Sequence, residues 1–163
     1  MNDKIALITG VAGQDGALLA KLLVNEGYRV YGGVRRTDEQ QLWRLDELGL
    51  IDHNNFKMLQ CDVSDWSSIT DVLVEVKPNE VYNLAAASFV GSSFKKPLAT
   101  NLSVGTGVLN MLEAIRQFSP ESKFYQASSS EMFGKVVETP QNENTPFYPR
   151  SPYAVSKVFG HFS

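Results

Sequence analysis

The sequence predicts a doubly wound α/β fold on a parallel sheet, and three observations carry that prediction. Short β-rich apolar runs alternate with amphipathic helical segments five times along the chain. A glycine-punctuated turn follows the first strand directly and opens a helix. No repeat, low-complexity tract or linker marks a boundary, so residues 1–163 are expected to form one domain. Strands joined through crossover helices must run parallel with helices on both faces, because the right-handed crossover packs back onto the sheet only that way.

The elements follow in order. "KIALITG" is a buried-strand run, after which Leu18, Leu19, Leu22 and Leu23 are expected on one helical face, with Gly27 as the stop. "YRVYGGVRR" reads as the second strand. A helix-permissive segment with Leu42, Leu45 and Leu48 leads through Asn54 and Asn55 to the third, "FKMLQCDV". Ser64 and Asp65 are N-cap candidates ahead of Ile69, Val72, Leu73 and Val76, and Pro78 forbids continuation. "EVYNLAAA" and "KFYQASSS" are the fourth and fifth strands. Between them a long helix is expected from Leu98 to Phe118, with Leu102, Leu109, Leu112 and Ile115 facing inward. From Val137 to Pro152 the pattern lapses into a proline-rich ordered loop; Ser151 then offers an N-cap with Pro152 at the first helical position, and a helix begins at Tyr153.

Composition narrows the class. Apolar content of 43% and charged content of 20% over 163 residues are those of a globular chain with a packed core. A net charge of −3 lacks the polycationic footprint that a phosphate backbone demands, so no nucleic-acid partner is expected. Cys61 is the single cysteine and no basic-led apolar leader precedes "KIALITG", which points to a cytoplasmic protein. No apolar run approaches the roughly 20 residues of a membrane-spanning helix, so no membrane partner is expected.

In "GVAGQDG", Gly10, Gly13 and Gly16 stand three apart, with Gln14 and Asp15 before the last. Glycine is needed where backbone turns tightly and approaches a pyrophosphate, and the helix that follows supplies N–H groups and a positive dipole end. A tight turn with no ligand satisfies the same spacing. The position, on the first strand-to-helix turn, favours a Rossmann-type dinucleotide domain. The second strand ends in Arg35 and Arg36, with the first acid, Asp38, beyond both; arginine there accommodates a 2′-phosphate, so NADP is the expected cofactor, against a pair of solvated surface arginines. Asp62 and Val63 are offered to an adenine ring, or merely end a strand. Asn83, Ala85 and Ala86 end the fourth strand with small side chains, suiting a cofactor, close helix packing, or both.

Tyr153 and Lys157 lie four apart, on one helical face. A neighbouring ammonium favours the phenolate of a group with an ordinary pKa near 10, so the pair reads as an acid/base device. A surface pair has the same spacing. Ser128, Ser129 and Ser130 close the fifth strand at its carboxyl end, where ligands sit in open α/β sheets, and Glu131 follows as a candidate acid/base group or a helix cap.

"GVAGQDG", "NLAAASFVG", "EAIRQFSPESKFYQASSSEMFG" and "NENTPFYPRSPYAVSK" together resemble the extended short-chain dehydrogenase/reductase family, in its GDP-mannose 4,6-dehydratase branch, from Ile5 to Phe162. The resemblance implies that GDP-mannose is converted to GDP-4-keto-6-deoxymannose and water by transient hydride transfer to NADP. Tyr153 would take the C4 hydroxyl proton, Lys157 would lower the phenol pKa and hold the nicotinamide ribose, and Glu131 would move the C5 proton and assist loss of the C6 hydroxyl. Ser129 stands where the family often has threonine and keeps the hydroxyl that assists at the C4 oxygen. Ser88 and Asn101 match positions that line or brace the cleft, and a homo-oligomer, dimer or tetramer, is implied. The family also implies further strands and a C-terminal substrate domain absent from this chain, so a fragment with little turnover is expected. A related 4-keto reductase shares the turn and the Tyr-x-x-x-Lys pair but needs no acid at Glu131. A non-catalytic NADP-binding module is the other alternative.

Overall fold

The computed structural model describes residues 4–35 and 42–163. Arg36 and Asp38 lie outside the described residues. The chain divides into two units, Met1–Ala85 with Asn110–Ala127, and Ala86–Leu109 with Ser128–Ser163.

The first unit is a five-stranded sheet, β1 (Ile5–Thr9), β2 (Arg29–Val34), β3 (Phe56–Gln60), β4 (Glu80–Asn83) and β5 (Lys123–Gln126), in the order β3-β2-β1-β4-β5. Every pairing is parallel, with Leu7 opposite Tyr31 on one side and Val81 on the other. β1 is central, and its side chains alternate: Ala6 and Ile8 join one apolar cluster and Leu7 the other. The first cluster takes Ala17, Ala20, Leu23 and Val24 of α1 (Gln14–Asn25), with Leu45 of α2 (Trp43–Glu47) and Leu50. The second takes Ile69, Val72, Leu73 and Val76 of α3 (Trp66–Val76), with Met111, Ala114 and Ile115 of α6 (Gly107–Phe118). Both faces are therefore covered, as a doubly wound sheet requires.

α3 follows its sequence signals. The Asp65 carboxylate caps it by accepting from Ser67 N–H at 3.0 Å, Lys77 closes it with a left-handed φ of 48°, and Pro78 comes next. The inward face expected of α1 is corrected. Leu18 and Leu22 are 54% and 56% exposed, while Gly16, Ala17 and Ala20 turn inward with Leu23 and Val24. The helix lies so close to the preceding turn that a Cβ at position 16 would stand 2.5 Å from the Gly10 carbonyl oxygen. Small residues fit against that turn, Leu19 and Leu23 pack on the first cluster, and Leu18 and Leu22 take the outer side.

The second unit holds α4 (Val90–Ser93), α5 (Pro97–Asn101), a π-helical turn (Leu102–Thr106), the first residues of α6, a 3₁₀ turn (Ser130–Met132) and α7 (Pro152–Phe162). The long helix expected from Leu98 to Phe118 is thus α5, a π turn and α6 in succession. Its expected inward face holds at Ile115, which is buried, and is corrected earlier in the run: Leu102 and Leu109 are 51% and 43% exposed, and Val104, Gly105 and Val108 are buried instead. A π turn closes its hydrogen bonds one residue later than an α turn, which shifts the phase of every later side chain. Among the described residues no helix is long and apolar enough to cross a membrane.

Candidate active site

In the first unit the glycine turn leaves β1 at its carboxyl end. Gly10 has φ +69°, and a Cβ there would lie 2.9 Å from the backbone of Ala85, so only glycine fits. Gly10 N–H donates to the Gly33 carbonyl at 3.0 Å and Gly13 N–H to that of Gly10 at 3.0 Å. Gly13 is the N-cap of α1 and gives its first turn no side-chain acceptor. A pyrophosphate fits this turn: backbone lies where side chains are excluded, and the exposed Gln14 and Asp15 begin a 12-residue helix whose N–H groups need acceptors. Arg35 is exposed immediately after β2.

The adjoining candidates are more committed to the protein itself. The Asp62 carboxylate accepts from Ser64 N–H at 2.9 Å and Ser64 hydroxyl at 2.6 Å, building the turn into α3, while Val63 is buried in the second cluster. Asn83 is fully buried; its Oδ1 accepts from Thr9 hydroxyl at 2.5 Å and its Nδ2 donates to Gln126 at 2.7 Å. Thr9 Oγ1 in turn accepts from Ala85 N–H at 3.2 Å. These bonds tie the carboxyl ends of β1, β4 and β5 together. Thr9 was not singled out from sequence, although a polar residue ending an otherwise apolar strand is a signal.

In the second unit four predicted residues come together. Ser151 caps α7 by accepting from Ala154 N–H at 3.0 Å, and Pro152 occupies the first turn, which fixes where Tyr153 and Lys157 stand. Both are buried, and the Lys157 ammonium lies 5.7 Å from the centre of the Tyr153 ring. Ser129 accepts from Glu131 N–H at 3.2 Å in the 3₁₀ turn that carries the exposed Glu131, and its hydroxyl stands near enough to Tyr153 to favour the phenolate.

The electrostatics differ from the sequence expectation. Burial pushes the Tyr153 phenol above its ordinary pKa, the Ser129 hydrogen bond opposes this, and the Glu131 charge adds to the rise. Burial lowers the Lys157 ammonium below its ordinary value. Ala86 is half-buried and Ser88 exposed, on the segment leading to α4.

The proline-rich loop after the 3₁₀ turn is closed at its neck. Tyr148 N–H donates to Met132 at 3.1 Å and Lys135 N–H to Tyr148 at 3.1 Å. Gly134 sits there at φ +50°, and a Cβ would stand 2.1 Å from the Tyr148 carbonyl oxygen. Inside the loop Asn142 N–H donates to the buried Thr145 at 2.9 Å, and Thr145 hydroxyl to Glu138 at 2.5 Å. The loop is ordered by its own bonds.

A 3-2-1-4-5 parallel sheet with a glycine turn after β1, and a Tyr-x-x-x-Lys helix farther along the chain, define a Rossmann-type α/β protein with an acid/base cluster. Comparison with known proteins narrows this. The family model described as GDP-mannose 4,6 dehydratase matches residues 7–163. A GDP-mannose 4,6-dehydratase of Vibrio cholerae is 48% identical over 167 residues, covering 99% of this chain and 45% of its own length. A Drosophila melanogaster GDP-mannose 4,6 dehydratase is 46% identical over 164 residues, covering 97% of this chain and 42% of its own length. Among solved structures, the UDP-N-acetylglucosamine 4-epimerase of Methanobrevibacter ruminantium superposes with a TM-score of 0.85 at 25% identity, over 99% of this chain and 49% of that one. The chain belongs to the GDP-mannose 4,6-dehydratase family, and it spans about half the length of the curated relatives it matches.

Proposed function

We propose that the protein is an NADP-dependent lyase that dehydrates GDP-mannose to GDP-4-keto-6-deoxymannose. The observation that carries this reading is the buried Tyr153–Lys157 pair, the ammonium 5.7 Å from the ring, with Ser129 and Glu131 both acting on the phenol. A phenol, a hydroxyl and a carboxylate so grouped can move protons at adjacent sugar carbons.

Gly10, Gly13, Gln14, Asp15 and Gly16 would hold the pyrophosphate of NADP, Arg35 with Arg36 its 2′-phosphate, Asp62 and Val63 the adenine, and Asn83, Ala85 and Ala86 the inner wall. When bound, NADP supplies the redox chemistry, taking a hydride from the sugar C4 and returning one to C6. Tyr153 takes the C4 hydroxyl proton. Burial holds its pKa up, and the Ser129 hydroxyl, which favours the phenolate that accepts the proton, works in the productive direction. The resulting 4-keto group acidifies the C5 proton, which Glu131 removes and passes to the C6 hydroxyl, departing as water; as hydride reaches C6, Tyr153 gives C5 the proton it took. Lys157 holds the nicotinamide ribose and Ser88 lies along the sugar. The protein works as a homo-oligomer in the cytoplasm; exposed Phe94, Leu98, Leu102, Phe159 and Phe162 in the second unit support self-association.

The test is to incubate the full chain with GDP-mannose and NADP, and in parallel with NAD, and to follow loss of water by mass spectrometry. Slow dehydration with NADP preferred is expected of a chain that spans about half the length of its relatives, and Glu131→Gln should lower that rate by at least about 10²-fold while leaving NADP binding intact. Unchanged dehydration by Glu131→Gln would remove Glu131 from the acid/base role, and no loss of water with the wild-type chain would remove the lyase reading and leave a reductase.

A further inference from the structure

Ser156 is buried in α7 between the two residues that carry the proposed chemistry, three after Tyr153 and one before Lys157. Its side chain points elsewhere than theirs. The hydroxyl lies 2.9 Å from the Pro152 carbonyl oxygen, one turn back, and 3.1 Å from Asn101 Oδ1 at the end of α5. A serine bonded only to its own helix would be a local accommodation. The second partner makes it a tie to the segment where the α-helix gives way to the π turn. One hydroxyl proton is shared between the two acceptors, so each holds the other in place.

The surroundings show how little slack this tie has. A Cβ at Gly105, inside the π turn, would stand 2.6 Å from Asn101 Oδ1 and 3.2 Å from the Phe159 ring. One turn farther along α7, a Cβ at Gly160 would meet the Val108 side chain at 3.1 Å. The backbone at each glycine thus lies against neighbouring side chains along this face of α7, and Ser156–Asn101 is the directional contact that selects one rotation and one axial register for the helix. π turns occur mostly where function needs a side chain re-aimed.

We propose that Ser156 is a positioning residue: through Asn101 it fixes the register of α7, and so where the Tyr153 hydroxyl and the Lys157 ammonium stand. This rests on the reading that those two groups carry the acid/base step. A misplacement near 1 Å in a reacting group lowers rates by about 10²-fold even when binding survives.

The experiment compares Ser156→Ala, Ser156→Thr and Asn101→Ala in the full chain. Asn101 is exposed, so its variant reports on the tie without opening the interior. Expected for Ser156→Ala and Asn101→Ala is a fall in kcat of about 10- to 100-fold, KM for GDP-mannose within about twofold, and a displaced kcat–pH limb. Ser156→Thr, which keeps the hydroxyl, should recover most of the rate, and the Ala/Ala double variant should be no slower than either single one. Amide hydrogen exchange over residues 153–157 should quicken in both Ala variants without a change in melting temperature. Wild-type kinetics and pH profile in both variants, or losses that track melting temperature alone, would overturn the proposal. If the wild-type chain fails to dehydrate GDP-mannose while the exchange result holds, the functional reading fails and the positioning role stands.

Discussion

At the residue scale, burial sets the behaviour of the ionisable groups. A phenol whose pKa is raised on folding keeps its proton where the unfolded chain has released it, so stability falls as pH rises above about 10. Lys157 acts in the opposite sense. Its lowered pKa means that the folded chain releases a proton before the unfolded one, and stability rises as pH climbs toward about 10.5. Urea unfolding between pH 8 and 11 should therefore show a weaker alkaline loss for Tyr153→Phe and a steeper one for Lys157→Met. At neutral pH, Lys157→Met should abolish turnover. Cys61, with its thiol pushed up to about 12 by burial and the Asp62 charge, should react with iodoacetamide on the order of 10³-fold more slowly native than denatured. The pairing of Tyr153 with Lys157 and the place of Glu131 were legible in the sequence because helical spacing and a strand end reveal them. The direction of the phenol's shift was not, since it depends on how deeply the ring is buried.

At the element scale, caps and turns carry the local specificity. Ser151→Ala should cost about 1 kcal/mol by removing the acceptor for Ala154 N–H, measured as a shifted urea midpoint. Gly10→Ala should cost more, about 1–3 kcal/mol, because it combines a left-handed φ with a 2.9 Å approach to Ala85. The five strands were readable because central parallel strands are continuous apolar runs, and α3 because cap, period and proline agree. The faces of α1 and of the α5–α6 run were misread for a shared reason. Leucine was taken as the inward residue, whereas close backbone approach at Gly16 and the phase shift at Leu102–Thr106 put glycine, alanine and valine there. α4 spans only Val90–Ser93, too short to show a period.

At the scale of the whole molecule, the two units differ in how they hold apolar surface. The sheet unit covers both faces, whereas the second leaves Leu98 at 81% and Phe162 at 76% exposure. Leu98→Lys together with Phe159→Lys should lower self-association in sedimentation velocity without moving the melting temperature by more than a few degrees. Of the boundaries between the two compact units, the one at Leu109 and Asn110 lies inside α6, where no composition signal exists. The neck at Gly134 has a consequence for evolution and for engineering. Because Met132, Lys135 and Tyr148 clasp the loop's base and Phe147 packs on Phe133, His161 and Phe162, residues 136–144 form a cassette whose length can drift or accept a grafted peptide while Glu131 and Tyr153 on either flank stay in place. A side chain at position 134 would prise that clasp apart and unsettle both flanks together.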